Sequence, residues 1–280
     1  MIRPLLKWAG GKRQLVPQLL RFVPGEIETY HEPFAGGLAL FCALQEESPP
    51  VRSVLTDLNR DLIDFYRVVR DRPMELIENI RASHFENERE FYYGMRDQFN
   101  SGTGSSSDPV GKATTLLYLN RHCFNGLYRV NSQNQFNVPF GRYKNPSFPD
   151  PGDILKFSQT LQGSKIEVMD FETAVKDARP GDFVYLDPPY IPLSRTSRFT
   201  EYTGTGFSFE DQKRLIRLCR DMASRGIDFI LSNSISDKLI DLAEGLSMIR
   251  VPARRSINSI PEKRMGHSEC IITNVRSLQT

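Results

Sequence analysis

The chain has few cysteines, no long apolar run and almost no net charge, and each shortage removes a class of protein from consideration. Its four cysteines, Cys42, Cys123, Cys219 and Cys270, lack the spacing of a metal site, a redox pair or a disulfide framework. Set among apolar and aromatic neighbours, they read as reduced, mostly buried thiols. No apolar run is long enough to span a bilayer, and Met1-Ile2-Arg3-Pro4-Leu5 leads into a motif rather than a signal peptide. A cytoplasmic protein without a membrane partner is expected. A net charge of +2 over 280 residues exerts little overall pull on a polyanion, so any nucleic-acid footprint must come from local clustering.

A local absence supplies that cluster. From Pro109 to Pro149 there is no Asp or Glu, yet Lys112, Arg121, Arg129, Arg142 and Lys144 are interleaved with Tyr118, Phe124, Tyr128, Phe136, Phe140 and Tyr143. Basic and aromatic residues separated by Asn and Gln suit a nucleic-acid surface. The plainer alternative is a solvated basic face over a small aromatic core.

Periodicity sets the architecture. After Gly10-Gly11-Lys12, helical spacing of Leu15, Val16, Leu19 and Leu20 predicts a helix to about Phe22, with Pro17 in its first turn. A strand from Tyr30 to Phe34, a turn at Ala35-Gly36-Gly37, a helix carrying Leu38, Phe41 and Leu44, and a strand from Val51 to Thr56 ending at Asp57 follow. That order lays out an adenosine-cofactor site in a parallel sheet, although the Gly turn lacks the full G-x-G-x-x-G pattern. The middle of the chain is different. Helices are expected around Leu62 to Val69, from Pro73, around Phe91 to Phe99 and around Ala113 to Asn120, with a flexible Gly-Ser loop at Ser101 to Ser107 and a hairpin turning near Ser132-Gln133-Asn134. Alternation of helix and strand then resumes after Pro151, with strands at Ile166 to Met169, Phe183 to Leu186, Phe229 to Leu231, Met248 to Val251 and Cys270 to Thr273. Ser208 and Asp211 read as a capping box, and Gly226 as the end of the helix it opens. The expected fold is α/β, a doubly wound, mostly parallel sheet of about seven strands with a mainly helical insert. Residues 1–59 and 146–280 would form the α/β domain, and 60–145 a helical module inserted into it.

Asp187-Pro188-Pro189-Tyr190, directly after the apolar run Phe183 to Leu186, carries the chemistry. The exocyclic amine of a nucleobase is a poor nucleophile because its lone pair is delocalised into the ring. Hydrogen bonds from that amine to the Asp187 carboxylate and the Pro188 carbonyl would localise the pair on nitrogen, with Tyr190 stacked on the base. Asp187 need not be a strong base, because the product ammonium is acidic and sheds its proton after transfer. Read without that chemistry, the stretch is a Pro-Pro turn capping a core strand.

Together these segments resemble the Dam-like family of S-adenosylmethionine-dependent N6-adenine DNA methyltransferases over nearly the whole chain. The resemblance rests on four blocks in the family's order: Leu6-Lys7-Trp8-Ala9-Gly10-Gly11-Lys12, Glu32-Pro33-Phe34-Ala35-Gly36-Gly37, the paired segments Phe124 to Arg129 and Phe136 to Lys144, and Asp187 to Tyr190. It implies a class I methyltransferase-like fold and S-adenosyl-L-methionine held near Trp8, Gly10, Lys12, Phe34, Gly36, Asp57, Asp170, Phe171 and Asp187. It also implies double-stranded DNA as partner, with adenine flipped out of the stack and held by Asp187, Pro188, Pro189 and Tyr190. GATC is the implied target. Arg129 is suited to guanine O6 and N7, Leu127 to a thymine methyl and Lys7 to a guanine acceptor, while Arg142 and Lys144 suit phosphates and Phe124 the gap left by the flipped base. Asn125 and Pro139 complete the implied DNA face. Bland readings for the base readers are a phosphate contact, a core residue and a surface charge, respectively. Arg254-Arg255 and Lys263-Arg264 form a second basic cluster, read either as a DNA contact or as a solvated loop.

The chain departs from some members in having Phe124 where they have Tyr, and Tyr128 where they have a small residue. No metal and no obligate protein partner are implied, and a restriction endonuclease of the same specificity is left open. Cytosine N4 is the nearest rival acceptor; a protein glutamine fits less well, because such enzymes have Asn in place of Asp187. A catalytically silent DNA-binding regulator is the rival of a different class.

Overall fold

The computed structural model describes residues 2–8, 10, 12–189, 207–252 and 268–276. Seven strands form one sheet: β1 (Thr29–Glu32), β2 (Arg52–Asp57), β3 (Lys165–Val168), β4 (Phe183–Leu186), β5 (Asp228–Ser234), β6 (Met248–Pro252) and β7 (Ser268–Thr273), in the order β3-β2-β1-β4-β5-β7-β6. β1 is parallel to β2 and β4, and β4 to β5, whereas β7 is antiparallel to both β5 and β6. The chain order reverses between β1 and β4, which in a doubly wound sheet opens a crevice at the carboxyl ends of those strands. All four residues of β4 are buried, as a strand covered on both faces requires.

Ten α-helices accompany the strands among the described residues: α1 (Val16–Leu19), α2 (Ala39–Glu47), α3 (Arg60–Asp71), α4 (Pro73–Ala82), α5 (Arg89–Ser101), α6 (Pro109–His122), α7 (Pro151–Leu161), α8 (Phe171–Ala174), α9 (Phe209–Ser224) and α10 (Asp237–Leu242). Their starts are written locally. Asn59 accepts the amide of Leu62 to cap α3, and Asp108 accepts those of Val110 and Gly111 to cap α6. Ser208 and Asp211 make the expected reciprocal capping box of α9, and Gly226, at φ 71°, follows its end. No described helix is long and apolar enough to cross a membrane.

The chain divides into two compact units. The first comprises Met1–Gly11, Gly36–Cys42 and Asn59–Val168; the second, Lys12–Ala35, Ala43–Leu58 and Met169–Thr280. In the first, α6 is buried on nearly every side and packs with α3, α4 and α5. Phe85 stacks on both Tyr118 and Phe148, with ring centroids 4.7 and 5.2 Å apart. In the second, Val184, Leu186, Phe229, Leu231 and Ile272 of the sheet meet Leu215, Cys219 and Met222 of α9.

Several local expectations are modified. The helix after Lys12 tightens into a 3-10 turn at Leu20–Phe22. The Gly-Ser segment contains a 3-10 turn, Gly104–Ser106, whose Ser106 is buried, and the Gln98 side chain accepts the Ser105 amide and hydroxyl. The expected hairpin forms only isolated bridges, Val130 with Phe136 and Cys123 with Phe140. Pro139 cannot donate to a ladder, and Asn134 and Arg142 lie at positive φ, so regular pairing stops. The single helix α10 was not anticipated. All four cysteines are buried and free, and burial raises the thiols of Cys123 and Cys270 to about 12 and about 11.

Candidate active site and nucleic-acid interface

In the second unit, the carboxyl end of β4 delivers Asp187 to a buried lysine. Lys12 Nζ lies 2.8 Å from Asp187 Oδ1 and 3.2 Å from Oδ2; Lys12 is 6% exposed and Asp187 19%. Ser232, on neighbouring β5, donates its hydroxyl to Asp187 Oδ1 at 2.7 Å. Ser232 Oγ also lies 3.2 Å from the Tyr185 hydroxyl. An ammonium and a hydroxyl therefore fix the carboxylate, leaving lone pairs to accept from a third group. Pro188 is buried and Pro189 exposed; Tyr190 lies outside the described residues.

Neighbouring strands bring further predicted residues into the same unit. Phe34 follows β1 and stacks on Phe171 of α8, with centroids 5.5 Å apart, and Phe207 meets both rings. Asp170 caps α8 by accepting the Glu172 amide. Asp57 closes β2, and its carbonyl accepts the Met169 amide at 3.2 Å. Arg214 of α9 binds Asp170, Glu172 and Asp211 at 2.7 to 2.9 Å and lies over the Phe171 ring at 4.7 Å. Hydrogen bonding to Glu172, foremost, pushes its guanidinium pKa up. Sequence reasoning missed both Ser232 and Arg214. The trace of Ser232 was a polar residue inside the apolar run of β5; Arg214 left none, because it lies on the polar side of an amphipathic helix.

The first unit holds the remaining predicted residues. Trp8 stacks on Tyr128 with centroids 5.5 Å apart, and a Cβ at Gly37 would lie 3.3 Å from Trp8 Cβ. The Tyr66 hydroxyl donates to the Gly36 carbonyl at 2.6 Å; Gly36 and Gly10 both have positive φ. Asn120, buried on α6, accepts the Lys7 amide and donates to the Lys7 and Gly126 carbonyls. It joins the N-terminal block to the central one. Gly126, at φ 61°, is required by this approach, since a Cβ there would come within 2.5 Å of Lys7 Cβ. Lys7 Nζ lies 4.7 Å from the Tyr143 ring centre, and its pKa is lowered by partial burial, then by Arg121.

Around these contacts, Phe124, Asn125, Arg129, Pro139, Arg142 and Lys144 are exposed, and Leu127 is half-buried. Phe124 retains 50% of its surface. Arg129 Nε donates to Asn137 Oδ1 at 2.6 Å, and its Nη2 to the Asn137 carbonyl at 3.2 Å. The acid-free stretch thus divides. Lys112 is neutralised from outside it by Asp61 at 2.7 Å, and Arg121 donates to the Leu5 carbonyl. Tyr118 and Phe136 are core residues, as the plainer reading expects. Tyr128, a departure from the family pattern, donates its hydroxyl to Asp61 at 2.6 Å. Arg254, Arg255, Lys263 and Arg264 lie outside the described residues.

Residues 8–257 match the sequence profile of D12 class N6 adenine-specific DNA methyltransferases. The chain belongs to that family. This adenine-specific DNA methyltransferase is 44% identical to the type II methyltransferase M1.LlaDCHI of Lactococcus lactis subsp. cremoris, over 98% of this chain and 95% of that one. It is 39% identical to the type II methyltransferase M.MjaIII of Methanocaldococcus jannaschii over 98% and 99% of the two chains, and 35% identical to the DNA adenine methylase of Haemophilus influenzae over 96% and 92%. The seven-stranded, mostly parallel sheet with flanking helices is the class I methyltransferase-like arrangement expected from sequence.

Proposed function

We propose that this methyltransferase acts on N6 of an adenine flipped out of double-stranded DNA, within GATC, with Asp187, Pro188, Pro189 and Tyr190 holding the base. The observation that carries the reading is the Asp187 carboxylate, fixed by buried Lys12 and Ser232 at the carboxyl end of β4. A carboxylate held in this way accepts from the target amine without first reorganising. Beside it the Pro188 carbonyl supplies the second acceptor, in a turn stiffened by the fixed φ of two successive prolines. Flipping costs on the order of a few kcal/mol of unstacking and pairing, which exposed Phe124 offsets by entering the vacated stack.

S-adenosyl-L-methionine supplies an electrophilic methyl on a sulfonium. The residue types present fit it: the paired rings of Phe34 and Phe171 suit an adenine, Asp57 at the end of β2 suits ribose hydroxyls, and Asp170 offers a carboxylate beside the rings. Trp8, Gly10, Lys12 and Gly36 are assigned to the same ligand. Arg129 is assigned to guanine, Leu127 to the thymine methyl, Lys7 to a second guanine, and Arg142 and Lys144 to phosphates, with Asn125 and Pro139 on the same DNA face. Residues 60–145 act as the target-recognition domain. Two relatives bear type II methyltransferase names, which supports pairing with a restriction endonuclease of the same specificity.

Mapping modified bases in duplex DNA incubated with the protein and S-adenosylmethionine tests base, atom and sequence context together. N6-methyladenine confined to GATC is expected, and Asp187→Ala should abolish it while DNA binding persists. Modification at cytosine N4, or normal turnover by Asp187→Ala, would reject the reading.

A further inference from the structure

Tyr128 sits between two residues assigned to DNA, yet its own side chain is turned elsewhere. Leu127 is extended, at φ −72° and ψ 149°, and in extended backbone successive side chains leave on opposite sides. Within the first unit the Tyr128 ring stacks on Trp8 with centroids 5.5 Å apart and planes 22° apart, and meets Phe136 edge-on at 5.6 Å. Its hydroxyl donates to Asp61 Oδ2 at 2.6 Å.

Asp61 is itself held. It lies in the first turn of α3, where the helix dipole favours a carboxylate, and Lys112 Nζ reaches its Oδ1 at 2.7 Å. Only 17% of the Asp61 side chain is exposed, so a charged acceptor in a largely dry setting grips the phenol through a short, charge-assisted hydrogen bond. Lys112 in turn lies 5.4 Å from the centre of the Phe99 ring, which meets Phe136. Tyr128, Asp61, Lys112, Phe99 and Phe136 thus close a circuit of contacts, and the phenol cannot swing away from Trp8 without losing its hydrogen bond to a carboxylate. The same helix also steadies the Gly turn, because Tyr66 of α3 donates to the Gly36 carbonyl at 2.6 Å. Trp8 is therefore confined twice, at its Cβ by the close approach of Gly37 and at its ring by Tyr128. A small residue in place of Tyr128 would leave that face of the indole open.

We propose that Tyr128 is a positioning residue for the cofactor: anchored on Asp61, its ring holds the Trp8 indole in the orientation that S-adenosyl-L-methionine binds. The inference rests on the assignment of Trp8 to that ligand. It makes the segment assigned to reading the target, Leu127 to Arg129, also set the affinity for the methyl donor. Trp8 is the chain's single tryptophan, so the emission of the whole protein reports this ring. Calorimetric titration of the protein with S-adenosyl-L-homocysteine, without DNA, measures the affinity. It should fall about threefold to tenfold in Tyr128→Ala, the worth of an aromatic pair. Tyr128→Phe, which keeps the ring but loses Asp61, should lie between, and acrylamide quenching of Trp8 should rise in the same order. If the alanine variant fails to fold, Tyr128→Phe against wild type decides. Equal affinity in wild type and the folded variants, with a wild-type emission that changes on saturation, overturns the proposal and leaves the assignment of Trp8 standing. A wild-type emission that does not change as the ligand saturates overturns both. Affinity that falls while quenching stays equal places the loss away from the indole and overturns the positioning role.

Discussion

Asp187 shows how much of an active centre resides in residues that do not adjoin it in sequence. Its carboxylate was legible from the strand and the two prolines around it, but its donors come from elsewhere: Lys12 from the N-terminal block and Ser232 from the next strand. Ser232 reaches it because β5 pairs with β4 in a register that sets Leu231 opposite Leu186. Strand register is a tertiary property, so no pattern in the chain announces it. Hydrogen bonds to a charged group contribute roughly 1.5–3 kcal/mol. Ser232→Ala should therefore lower single-turnover methyl transfer by about tenfold or more and leave DNA affinity unchanged, as read by rapid quench and by equilibrium binding. Asn137 poses the same kind of problem on the DNA face. It occupies Arg129 Nε and one Nη2 hydrogen, so the Nη1 and Nη2 edge is the one left to read a base. Asn137→Ala should relax discrimination at the base assigned to Arg129, by up to the roughly 1–3 kcal/mol of a bidentate pair, and should add little to Arg129→Ala. Kinetics on duplexes substituted at each position, run as a double-mutant cycle, measure this; fully additive losses would mean that the two residues act separately.

Elements were legible where local chemistry defines both ends. The capping box of α9, Pro73 at the start of α4 and the apolar run of β4 all lie where periodicity places them. Elements stabilised by distant contacts were not. The chain from Tyr128 to Phe140 alternates like a hairpin, yet its backbone groups are partly met by others: Asn100 accepts the Phe136 amide and donates to its carbonyl, and Tyr92 donates to the Val138 carbonyl. With those groups satisfied by α5, a ladder is unnecessary. The helix that carries this arrangement from beneath is α6, capped by Asp108 and bearing Asn120 near its end. Asp108→Ala should cost about 1 kcal/mol of stability, a typical loss for an N-cap. Thermal unfolding would show a lowered midpoint, while Asp108→Asn, which keeps an acceptor, should stay close to wild type.

At the scale of the whole molecule, two buried histidines tie stability to pH. His31, on β1, is 6% exposed; its Nδ1 donates to the Ala174 carbonyl at 3.3 Å, and its Nε2 lies 3.6 Å from Asp182 Oδ2. Burial lowers its pKa below the ordinary value of 6.5, and the opposing pull of Asp182 does not restore it. His122, on α6, stacks on Tyr118 and is shifted the same way, again by burial first. A depressed histidine pKa means that the folded chain binds fewer protons than the unfolded chain at pH values just below 6.5. Stability is then fully present above the unfolded pKa and falls as pH drops towards the folded value, by at most about 1.4 kcal/mol per pH unit for each histidine. The unfolding midpoint should therefore be flat from about pH 8 to 7 and decline between about pH 6.5 and 5, before most carboxylates titrate. His31→Gln should flatten part of that decline, and His31→Gln/His122→Gln most of it. A double variant whose midpoint falls as steeply as that of wild type would assign the loss to groups other than these two.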